Sequence, residues 1–63
     1  MELEEAIKSA CMAAAEMAVN VDSDLVGDHR DNYRPRIRSL VSSLAKLFPM
    51  QMADALLKAQ PFS

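Results

Sequence analysis

Residues 33–49 read Tyr33-Arg34-Pro35-Arg36-Ile37-Arg38-Ser39-Leu40-Val41-Ser42-Ser43-Leu44-Ala45-Lys46-Leu47-Phe48-Pro49. Within this stretch Ile37, Leu40, Val41, Leu44, Leu47 and Phe48 recur at spacings of three and four, the period of a helix with one apolar face. Asp31 or Asn32 can cap its start, since a short side-chain oxygen accepts from the free N–H groups of a first turn. Pro35 then falls in that first turn, where its missing N–H costs little. Pro49 ends the helix, because the residue before a proline is driven out of the α region. The pattern therefore predicts a helix over about 32–48.

Working outward, Pro49 also opens a third helix over about 49–59, with Met52, Ala53, Leu56 and Leu57 on one face and Pro61 as its stop. Toward the N-terminus, Leu3, Ile7, Ala10, Cys11, Ala14, Met17, Ala18 and Val21 repeat with helical spacing and predict a helix over about 2–20. Glu2, Glu4 and Glu5 suit its first turn, where the helix dipole favours negative charge. Met12 falls on the opposite face. Asn20-Val21-Asp22-Ser23-Asp24 reads as a set of helix stoppers and Gly27 as a turn, so a loop is expected to about Asp31, with a short extra turn near 25–28 that folds Leu25 and Val26 back onto the core. No segment alternates with period two for long enough to predict a strand. The expected fold class is all-α: a small three-helix bundle.

Sixty-three residues make one small helical domain at most, 1–63, standing alone or as a piece of a larger protein. Half of the residues are apolar and only three are aromatic, so aliphatic and Met side chains must fill the core. Cys11 has no partner for a disulfide, and Cys11 and His29 cannot close a zinc site. The acidic N-terminus lacks the basic start of a secretory signal, and no apolar run reaches membrane-spanning length. An intracellular location, cytoplasmic or nuclear, without membrane contact is the expectation.

Catalysis has little to stand on. A nucleophile needs a base within reach and a group to orient that base. Cys11 sits on an apolar helix face, which predicts a buried, inert thiol, and His29 lies in the expected loop. The loop from Asp22 to Asp28 superficially resembles a calcium loop, but Val26 and Tyr33 occupy the fifth and twelfth positions where oxygen ligands are required. The reading is not an enzyme, with no catalytic residue, metal or cofactor.

Charge is uneven. Residues 1–28 hold seven acids against Lys8, net −6, and residues 29–46 hold five bases against Asp31, net +4, within an overall −2. Either the two halves attract as they pack, with the arginines pairing to acids of the first helix, or the basic segment meets an acidic partner. Arg34, Arg36 and Arg38 invite a test for nucleic acid. At 100° per residue Arg36 and Arg38 stand roughly 200° apart, flanking the apolar face instead of forming one phosphate-tracking stripe. Protein binding fits better. Arg34, Arg36 and Arg38 would steer a partner, and Met50, Met52 and Leu56 would supply apolar contact, with a groove between the second and third helices for an amphipathic helix or an acidic surface. Met12 is a further surface candidate. The leading expectation is a non-catalytic protein–protein interaction domain. A homodimerisation module and a weak nucleic-acid-binding domain are the alternatives.

The run from Tyr33 to Leu44 resembles the signature of the central domain of transcription elongation factor TFIIS, which reads Tyr-Lys-x-Arg-Val-Arg-Ser and then an apolar stretch ending in Leu. Leu3-Glu4-Glu5-Ala6-Ile7 is similar to that family's Ile-Glu-x-x-Ile helix, and Pro49 followed by Ala53, Leu56 and Leu57 is similar to its short Leu-rich helix. The likeness covers about residues 30–58. Ser43-Leu44-Ala45-Lys46 replaces the family's Asn-Leu-Lys-Asp, the Gly after the third helix is absent, and the acidic loop is longer. The family's last helices and its zinc ribbon have no counterpart here. The resemblance implies a helical bundle that docks on RNA polymerase, within the transcription machinery.

Overall fold

The computed structural model describes residues 2–24 and 28–60, with side chains for 2–21 and 31–60. Three helices follow in order: α1 Glu2–Asp24, α2 Asp28–Leu47 and α3 Pro49–Lys58. All three pack against one another, so the all-α three-helix bundle expected from the periodicity is the fold.

Two boundaries differ from expectation, and each has a local reason. α1 runs past Asn20 to Asp24. Asn20 does not stop the helix because its amide is satisfied inside it. Its Nδ2 donates to the Glu16 carbonyl at 2.7 Å and to the Gln60 carbonyl at 3.4 Å, and the residue is buried. A buried amide with partners carries no desolvation penalty that would favour leaving the helix. α2 begins at Asp28, so Asp31 and Asn32 are helical residues and not caps, and Pro35 lies inside the helix. The expected loop to Asp31 is correspondingly shorter. The extra turn near 25–28 falls largely on residues outside those described.

The corner between α2 and α3 is built on one residue. Phe48 leaves the helical region, with φ −134° and ψ 67°. Its N–H still donates to the Leu44 carbonyl at 2.7 Å, while its own carbonyl accepts from Met52 at 2.9 Å. Pro49 at the first helical position loses no bond, since that N–H has no partner within the helix. At the far end Ala59 is extended and its N–H caps the Ala55 carbonyl at 2.8 Å.

The core is small and rich in alanine. Cys11, Ala14 and Ala15 of α1 meet Met52 and Ala55 of α3, with Ile7, Met12, Val41, Leu44, Ala45 and Phe48 packed around them. Small residues let α1 and α3 approach closely. α2 contributes only half-buried side chains to this cluster, so its apolar face is incompletely covered. Leu3, Ala10 and Met17 of α1, and Ala53 and Leu57 of α3, were expected on the apolar packing faces and are exposed instead. The buried arc of α1 is centred on Cys11, Ala14, Ala15 and Ala18, and that of α3 on Met52 and Ala55. The buried arc follows the small residues because only they allow close helix contact.

Candidate interaction surfaces

Two grooves between helices and one hollow on α2 take in some of the sequence-predicted contact residues. The first lies between α1 and α2. Ala18 and Val21 from one side and Ile37 and Val41 from the other make an apolar floor, with Arg34, Arg38 and Ser42 along the α2 edge and a volume of about 350 Å³. Arg34, Arg38 and Ser42 are four residues apart in turn, which places them in a row on one helix face. A second hollow of about 530 Å³ adjoins it on the outer side of α2, where Arg34 and Arg38 meet Ser39, Ser42 and Ser43. The two arginines thus stand on a ridge with an apolar groove on one side and hydroxyl groups on the other. Arg34 is half-buried and Arg38 exposed.

Arg36 lines neither hollow and is exposed. The angular separation read from the sequence holds, and no continuous basic stripe joins the three arginines. Among the described residues neither Arg36 nor Arg38 forms an ion pair, whereas the exposed Asp54 and Lys58 pair within α3 at 3.0 Å. For these two arginines the expected pairing with acids of α1 does not occur among the described residues.

The α1–α3 groove holds Met50, but not in the setting expected for it. Met12 and Met50 face each other across a space of about 340 Å³ whose edges are Lys8, Gln51, Asp54 and Lys58. Met50 is 82% exposed. Met12, expected on the outer surface, is half-buried against the core cluster.

Met52 is corrected outright. It is 1% exposed and forms the centre of the core, so it offers no surface to a partner. Its place follows from α3 lying one close helix contact from α1, with Ala55 one turn on beside it. Leu56, by contrast, is 42% exposed. Of the six predicted contact residues the structure brings together only Arg34 and Arg38. Leu40 and Leu47 on α2 and Leu57 on α3 were assigned to packing and are also exposed.

Other chemistry is sparse. Cys11 is fully buried among apolar neighbours. Among the described residues no group of three His, Cys, Asp or Glu side chains could hold a metal ion, and no helix is long and apolar enough to cross a membrane. His29 and the acidic stretch around Asp22 to Asp28 have side chains outside those described. No protein-family model, no curated protein and no solved structure matches the chain.

Proposed function

We propose that the domain is a non-catalytic binding module that takes an acidic amphipathic segment of another protein into the α1–α2 groove. The observation that carries this reading is the position of Arg34 and Arg38 along one edge of a floor made by Ala18, Val21, Ile37 and Val41. A partner helix with apolar residues on one face and Asp or Glu beside them would bury the first on the floor and meet the guanidiniums with the second. Arginine suits the task, because its planar fork holds a carboxylate through two parallel bonds. The resemblance to the polymerase-docking family points the same way, toward a partner in transcription.

An acidic amphipathic helical peptide, titrated into the labelled domain, tests the reading. Amide shifts are expected at Ala18, Val21, Ile37 and Val41. Arg38→Glu should weaken binding about tenfold or more, the worth of a charge-assisted hydrogen bond, while Arg36→Glu, off the groove, should leave it within twofold. Equal loss in both variants, or shifts confined to α3, would reject the groove.

A further inference from the structure

We infer that the acidic group received by the arginine ridge is a phosphate, borne by a phosphorylated serine or threonine of the bound segment and held in the hollow on the outer side of α2. This rests on the groove reading above and names the chemistry of its polar contact. The hollow, of about 530 Å³, is lined by Arg34, Pro35, Arg38, Ser39, Ser42 and Ser43. It presents two guanidiniums, three hydroxyls and no carboxylate. Asp31, a turn before Arg34, is not among its lining residues. Two cations one turn apart on a helix, with no acid set between them, repel each other and attract an anion.

The donors on the two sides of the ridge decide which anion fits. A carboxylate is planar and has two oxygens, so one arginine fork satisfies it. The second arginine and the serines would then have no role. A phosphate monoester carries close to two negative charges and three terminal oxygens in a tetrahedron, so it takes guanidiniums on one side and hydroxyls on the other. The serines are in the state that such a ligand needs. A serine within a helix can bond back to the carbonyl four residues before it. Ser39, Ser42 and Ser43 are exposed, and among the described residues none of their hydroxyls bonds a protein group. Ser39 and Ser43, four apart, form a second row beside Arg34, Arg38 and Ser42. Arg34, Arg38 and Ser42 also line the apolar groove, so one ligand meets the floor with its apolar face and the hollow with its phosphate. A nucleic acid would instead follow a line of cations, and Arg36 stands off the ridge.

Three versions of one amphipathic helical peptide, with leucines on one face and phosphoserine, Glu or Ser beside them, test the inference by calorimetry against the full chain. The phosphoserine peptide should bind about tenfold or more tightly than the Glu peptide, the effect of a further charge-assisted bond, and should shift the amides of Ser39 and Ser43. Replacing Ser39→Ala and Ser43→Ala together should reduce that advantage at least threefold and leave the Glu peptide within twofold, since neither serine lines the apolar groove. Both sites are exposed and alanine is the better helix former, so the helix persists. Equal binding of the phosphoserine and Glu peptides overturns the inference and leaves the groove standing. Binding of none of the three rejects both. A single-stranded RNA oligonucleotide that binds more tightly than the phosphoserine peptide at the same serines also overturns it.

Discussion

Met52 and Met50 stand two residues apart on α3 and have opposite fates. Among the described residues Met52 is the largest side chain removed wholly from solvent, in a cluster otherwise made of Cys11 and three alanines. The buried residues beside it are small and have little or no side-chain freedom with which to fill the space it would leave. Met52→Ala should therefore cost about 2–5 kcal/mol, a large part of the roughly 3–9 kcal/mol expected of a chain this long. Met50→Ala, at an exposed site, should change stability by less than about 0.5 kcal/mol. Urea unfolding of the two variants checks both, and equal effects would mean that Met52 is not the centre of the core. Asn20 shows the complementary principle. Its amide bonds the Glu16 carbonyl in its own helix and the Gln60 carbonyl beyond α3, so a residue type that often ends helices here fastens Gln60 to α1.

At the scale of elements, the proline in α2 gives a sharp test of where that helix begins. With α2 starting at Asp28, Pro35 is an interior residue. The Asp31 carbonyl then has no i+4 donor, and the ring crowds it. Pro35→Ala should restore the bond and stabilise the domain by about 1–3 kcal/mol, raising the melting temperature roughly 4–8 °C per kcal/mol. A helix starting at Asn32 would place Pro35 in the first turn and make the change nearly neutral. This is also where the sequence was hardest to read. The number of helices, the Phe48–Pro49 corner and the α3 span were legible because prolines and a 3.6-residue period leave few alternatives. The start of α2 was not, because Asp31 and Asn32 are good caps and a proline four residues on suits a first turn. The faces were misjudged where alanine competes with leucine. Hydrophobicity ranks Leu56 and Leu57 above Ala55, but close helix packing selects the smaller side chain. Arg34, Arg38 and Ser42 were legible in spacing, four residues apart, yet the groove beside them depends on Ala18 and Val21 of another helix.

The whole molecule is longer than a ball of its mass. Its Cα radius of gyration is 12.0 Å and its longest extent 40 Å, against about 10.6 Å for a compact chain of this length. α1 alone, at about 1.5 Å per residue, accounts for about 34 Å of that extent. A single long helix braced by two shorter ones cannot enclose much volume, so large apolar side chains of all three helices remain exposed while alanines fill the centre. The homodimerisation alternative read from the sequence would link folding to association and make the melting temperature depend on concentration. A hundredfold rise in protein concentration adds about 1.4 kcal/mol of stabilisation per chain to a dimer that unfolds to monomers, and would raise the melting temperature by about 5–10 °C. Leu47→Glu should lower the melting temperature at low concentration very little, since residue 47 is 70% exposed within the single chain. Differential scanning calorimetry at several concentrations reads both effects. A wild-type melting temperature independent of concentration would mean that the alanine core suffices alone, and would reject the homodimerisation alternative.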